Sequence, residues 1–307
     1  MNLAQEIFGV RFQNPVLLAS GTCGYGQELD RMIDLDRLGG LVIKAVTAEP
    51  RNGNPEPRVA EFAAGMINSI GLANAGLDDV RASRLPWLAA RLRAARVLVN
   101  VAGATAAEFA TIVRALDDVE GFAAFELNVS CPNVERGGAI FGTREDLLAD
   151  VVRRCRLATR RPLVVKLAPN VPDIGQMAHV AETEGADGLT LINTFPGLLF
   201  DVDSRRPVLG AGTGGVSGPA ILPMGVHAVW QARRRVSLPI LGVGGIRTGR
   251  DALQYLLAGA SLIQVGTASF ADPGAAGRVL SGLIRYGVAS GVADVRELVG
   301  AGHFEAI

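Results

Sequence analysis

Eight short apolar runs recur along the chain, at residues 16–20, 41–46, 97–102, 125–130, 163–168, 189–194, 240–244 and 262–267. Near-continuous apolar runs of this length are the pattern of parallel strands buried on both faces. Between many of them apolar residues recur at spacings of three and four, which predicts helices over 105–116, 144–157, 173–184, 219–234 and 250–257. This alternation predicts an α/β architecture of eight βα units, closed by right-handed crossovers into a TIM (β/α)8 barrel. An open, doubly wound sheet is the alternative, and the even spacing and glycine-rich ends of the last two runs favour the barrel. No linker or low-complexity segment interrupts the pattern, so residues 1–307 read as a single barrel domain.

Connections 47–77 and 195–218 are too long for simple turns, and a further insertion follows the fourth run. Each leaves the C-terminal end of a strand, where barrel active sites lie, and long ordered loops in compact domains are usually functional.

Charge narrows the function. Thirty basic residues balance thirty acidic ones, which speaks against an electrostatic nucleic-acid binder. No apolar run reaches 18 residues, and the first residues carry no signal-peptide pattern, so the expected setting is cytoplasmic. Cys23, Cys131 and Cys155 are odd in number and widely spaced, as in a reducing compartment. All but two of the basic residues are arginine. The two lysines, Lys44 and Lys166, both sit inside apolar runs, where an ammonium is costly unless it meets an anion or polar ligand.

Polar residues at strand ends mark the site. Asn100, Asn128 and Asn193 fall in the C-terminal parts of strand runs, although asparagine is depleted in strands. With Ser20, Lys44 and Lys166 they aim amides, ammonium groups and a hydroxyl at one end of the barrel, a wall suited to a flat, polar heterocycle. Runs seven and eight end in Gly242-Val-Gly-Gly245 and Val265-Gly-Thr267, where barrel enzymes commonly bind phosphate. Cys131 follows run four in Asn128-Val-Ser-Cys-Pro-Asn133, and a thiol there can serve as general base. Cys155 falls in a helix pattern and Cys23 reads as packing. His179 and His227 fall in helix patterns and His303 near the end of the sequence, so no histidine ends a strand. No C-x-x-C occurs, and no metal site is expected.

The segment Asn128-Val-Ser-Cys-Pro-Asn-Val134 resembles the catalytic loop of the dihydroorotate dehydrogenases, flavin barrels of pyrimidine synthesis. So do Gly53-Asn-Pro-Glu-Pro-Arg58, Asn68-Ser-Ile-Gly-Leu72, Gly214-Gly-Val-Ser-Gly218 and Val243-Gly-Gly-Ile246, and the likeness runs in order from Asn14 to about Pro273. Cys131 is similar to the base of the soluble class 1, since the membrane-associated class uses serine there. Cys131-Pro-Asn-Val-Glu-Arg-Gly-Gly-Ala-Ile-Phe-Gly142 and Ala64-Gly-Met-Ile-Asn68 resemble the NAD-linked class 1B more than the fumarate-linked class 1A. Cys23 departs from the pattern, standing where an aromatic is common.

The resemblance implies FMN, held by Ser20, Lys44, Ala45, Asn100, Asn128, Lys166, Ile192, Gly218, Gly244, Gly245, Gly266 and Thr267. Lys166 would face the flavin edge where negative charge develops on reduction. Dihydroorotate would be held by Lys44, Asn68, Ser69, Ile70, Gly71, Leu72, Asn128, Asn193 and Thr194, with Asn133 closing from the loop. Cys131 would remove the C5 proton while hydride passes from C6 to the flavin. It also implies a homodimer joined to two partner subunits carrying FAD and a 2Fe–2S cluster. Three other readings are an FMN-dependent dihydrouridine synthase, an aldolase using Lys166 as a Schiff base, and a non-catalytic phosphate-binding barrel.

Overall fold

The computed structural model describes residues 1–130, 132–133 and 139–302 of the 307. Eight parallel strands close into a barrel: β1 (Val16–Leu18), β2 (Gly40–Val42), β3 (Arg96–Val101), β4 (Ala124–Asn128), β5 (Leu163–Lys166), β6 (Gly188–Leu191), β7 (Ile240–Val243) and β8 (Leu262–Val265). Each pairs with its sequence neighbours, and β8 closes onto β1 with Ile263 opposite Val16. The TIM barrel expected from the alternating runs is therefore the fold.

The strands stop earlier than the apolar runs. Lys44 gives its backbone N–H to Gly24 O rather than to β1, so the pairing with β1 has ended by that residue. Ser20, Lys44 and Asn193 thus sit just beyond β1, β2 and β6, while Asn100, Asn128 and Lys166 remain within their strands. The first βα unit also departs from expectation. The β1–β2 connection holds only a short 3-10 turn, Leu35–Arg37, because glycines at 21, 24 and 26 take positive φ and turn the chain repeatedly.

The helices otherwise follow the pattern. Ala106–Leu116, Ile174–Thr183 and Gly249–Ala258 start at Thr105, Asp173 and Thr248, whose side chains each accept a backbone N–H of the first turn. Glu145–Ala158, Leu222–Arg233 and Ala275–Ser290 complete the outer layer. The β2–β3 connection ends in a helical stretch, Gly76–Asp79 continuing to Leu85–Arg91, that the sequence pattern did not reveal. A π-turn at Val80–Arg84 precedes Pro86, which has no N–H to donate to the helix.

Side chains two apart on a strand share a face, and inside the barrel that face changes character with height. Leu98 is followed by Asn100, Ala124 by Glu126, Val164 by Lys166 and Leu262 by Gln264. The lower set packs with Leu17, Val42 and Leu241 against Ile7 and Phe12 of an N-terminal hairpin, which plugs the bottom of the barrel. The upper set is polar.

Above the C-terminal ends, the two long connections meet. Val59–Phe62, Gly65–Asn68, Gly214–Ser217 and Phe195–Gly197 form one four-stranded antiparallel sheet, with Ile67 opposite Val216. Gly215 is required there, because a Cβ would stand 2.1 Å from Oγ1 of Thr194.

Candidate active site

A cavity of about 620 Å³ lies between the strand ends and this sheet. All twelve residues assigned above to the cofactor line its wall. Of the residues assigned to substrate, Lys44, Asn68, Ile70, Leu72, Asn128, Asn193 and Thr194 also line it. Ser69 and Gly71 do not. Ser69 Oγ accepts instead from Asn54 Nδ2 at 2.6 Å, and Gly71, at φ 69°, closes on Asn54, so both fix the loop that carries Ile70 and Leu72.

The floor is built around a residue the sequence analysis passed over. Glu126 is fully buried, and its carboxylate accepts from Asn100 Nδ2 at 2.7 Å, Thr190 Oγ1 at 2.8 Å, Gln264 Nε2 at 2.9 Å and Ser20 Oγ at 3.3 Å. Lys166 Nζ stands 3.9 Å from the same carboxylate and donates to Ser20 Oγ at 3.2 Å. Four other strands, and Ser20 just beyond β1, are thus tied to one buried carboxylate of β4. The period of two contained the signal, since Glu126 shares its face with Asn128. Lys44 has no ion-pair partner among the described residues.

Asn193 donates from Nδ2 to Asn128 Oδ1 at 3.0 Å and to Ser130 Oγ at 2.9 Å, and its own Oδ1 accepts from the Thr194 N–H. At the opposite end, Gly244 and Gly245 take φ of 126° and 73° after β7. A Cβ on Gly245 would lie 2.7 Å from Cβ of Leu222, at the start of the Leu222–Arg233 helix. The buried Tyr255 hydroxyl donates to Gly244 O at 2.8 Å and holds this turn from behind, a support with no sequence signature. Thr267 Oγ1 donates to Ser217 Oγ at 2.8 Å, joining the β8 end to the roof.

Cys131 lies outside the described residues, as do 134–138 and His303. The backbone of Asn133 pairs with that of Ala139. Burial pushes the Cys23 thiol up to about 12, and it donates to Val42 O at 3.1 Å, in keeping with packing rather than chemistry. Burial does the same for Cys155, also to about 12. His179 and His227 lie on outer helices and neither lines the cavity.

The family model for dihydroorotate dehydrogenase matches residues 2–286. The chain is 47% identical over 98% of its length to the "Dihydroorotate dehydrogenase B (NAD(+)), catalytic subunit" of Geobacter sulfurreducens, covering 98% of that protein. It is 49% identical, over 98% of its length and 97% of the relative's, to the protein of the same name from Desulforudis audaxviator. Among solved structures, the crystal structure of DHODH in complex with ferulenol from Eimeria tenella superposes with a TM-score of 0.83 at 26% identity, over 98% of this chain and 88% of that one. With sequence relatives, family model and barrel in agreement, the chain belongs to the dihydroorotate dehydrogenase family.

Proposed function

We propose that this chain is the catalytic subunit of an NAD-linked dihydroorotate dehydrogenase, oxidising (S)-dihydroorotate to orotate in pyrimidine synthesis. The observation that carries the reading is the convergence of Lys44, Lys166, Asn100, Asn128 and Asn193 on one cavity wall, opposite a glycine-lined end. The relatives' printed name favours the NAD-linked type over the fumarate-linked one.

The wall fits FMN. Asn100 lines the cavity, and its buried Oδ1 has no hydrogen-bond partner, an orphaned acceptor that a bound heterocycle could satisfy. Gly218, Gly244 and Gly245 have positive φ, and Gly266 has no Cβ to intrude, so backbone can approach a phosphate closely. When bound, FMN supplies the acceptor for the hydride that leaves C6. Lys166 supplies a fixed cation where negative charge accumulates. Lys44, Asn193 and Asn128 bind and orient the substrate, and Asn68, Ile70, Leu72 and Thr194 cover it and exclude water. Cys131 takes the C5 proton at its Sγ, with Asn133 closing beside it.

On the same reading, residues 1–307 form one domain and the chain works in the cytoplasm as a homodimer, paired with two subunits that carry FAD and a 2Fe–2S cluster. "Catalytic subunit" in the relatives' name implies a partner. No described helix is long and apolar enough to cross a membrane.

Anaerobic mixing tests this. The purified chain should carry one FMN, and (S)-dihydroorotate should bleach it. Released FAD, or a flavin that dihydroorotate leaves oxidised, would overturn the assignment.

A further inference from the structure

We propose that Glu126 is a positioning residue that sets how strongly Lys166 attracts electrons into the bound cofactor. The proposal rests on the FMN reading above. Two lysines enter one cavity, and their surroundings differ. Lys44 has no carboxylate within ion-pair distance among the described residues. Lys166 is 6% exposed and has Glu126, 0% exposed, 3.9 Å away.

Every polar group against Glu126 is a donor: two side-chain amides, two hydroxyls and an ammonium. An amide –NH2 can only donate, so Asn100 and Gln264 are matched to an acceptor-only carboxylate. Five groups from separate parts of the barrel make this more than a surface-type ion pair. A burial site this complete fixes the direction of each donor and keeps water out, so the charges on either side of it act at short range and little screened.

Lys166 favours the cofactor state that carries more negative charge. Glu126, behind it, opposes that preference by drawing the ammonium back from the cavity, through Ser20 and through its own carboxylate. The pair therefore lowers the reduction potential relative to an uncompensated lysine. Asn100 is oriented by the same carboxylate, and its buried Oδ1 is left without a hydrogen-bond partner.

The measurement is the midpoint potential of FMN bound to the purified chain. In Glu126→Gln it should rise by about 30 mV, a tenfold gain in preference for the reduced cofactor in a two-electron couple. In a Lys166→Met background the same substitution should change that preference less than twofold, because Glu126 acts through the lysine. Glu126→Asp keeps the charge but draws it back from Nζ, so its potential should rise by a smaller amount; it gives the reading if Glu126→Gln does not fold. A purely structural role would lower stability and FMN content in these variants and leave the potential of the FMN they retain unchanged. An unchanged potential, or an equal rise with and without Lys166, overturns the proposal. A wild-type chain without FMN would overturn the functional reading beneath it.

Discussion

Asn193 Nδ2 donates to Asn128 Oδ1 at 3.0 Å, and this bond joins the ends of β6 and β4 across the intervening β5. Asn193→Ala removes it together with the bond to Ser130. The variant should keep FMN and bind orotate at least tenfold more weakly, with a loss of about 1 kcal/mol in stability. Flavin titration with orotate reads the first effect, and unchanged affinity would remove Asn193 from the substrate site.

Lys166→Ala should lose FMN more readily and reduce it more slowly, by an amount typical of a lost charge-stabilising group, about 3 kcal/mol in the barrier. Stopped-flow reduction by dihydroorotate measures this. Arginine should not restore the rate, because a planar guanidinium cannot occupy the compact space between Ser20 and Glu126.

Cys131→Ala should retain FMN and bind orotate, yet reduce its flavin about 10²–10⁴-fold more slowly in single turnover. Cys131→Ser should keep some activity, with the rate-pH profile moved upward because a hydroxyl is the weaker acid. Reduction of Cys131→Ala within tenfold of wild type would assign the base to another group.

Tyr255→Phe removes the hydroxyl that donates to the part-buried carbonyl of Gly244. Loss of such a hydrogen bond costs about 1 kcal/mol. A lower Tm and faster FMN release should appear together, since one turn serves both. A lower Tm with unaltered release would separate the turn from the cofactor site.

Asp36 gives a pH test away from the cavity. Burial raises its pKa, but the backbone N–H groups of Ala95, Ala94 and Arg93, all bonded to Oδ1, outweigh this and hold it below the ordinary carboxylate value. A depressed folded pKa adds stability above the unfolded value of about 3.9, and that stability is lost as pH falls through the folded value. Asp36→Asn should therefore be less stable than wild type at pH 7 and lose less on acidification to pH 3. Parallel urea-midpoint curves for the two proteins would contradict this.

The sequence made the site legible where residue type clashed with position. Lys44, Lys166 and the strand-end asparagines stand out because strands reject them, and each lines the cavity. Glu126 and Gln264 were polar anomalies too, but Glu126 meets Thr190 and Gln264 at separations of 64 and 138 residues, and pairing at that range leaves no periodic trace. The roof was illegible for a related reason. Its strands are three or four residues long, and two loops that each looked irregular became regular only against one another. The helix after β2 was hidden by Pro86, which reads as a breaker yet lies within the first turn of Leu85–Arg91, after the π-turn has reset the hydrogen bonding.

The roof also imposes an order on synthesis. The hairpin of Val59–Phe62 and Gly65–Asn68 leaves the ribosome early, whereas Gly214–Ser217, the strand that must sit beside it, emerges about 147 residues later. Until then the outer edge of Gly65–Asn68 has no partner in its own chain, and such an edge is a template for pairing with other chains. Its brevity, and the glycine at Gly65 where a Cβ would meet the backbone of Ser217, limit what else it can pair with while it waits. The roof of the cavity thus waits for Gly214–Ser217, and the glycine-lined ends of β7 and β8 beneath it follow later still.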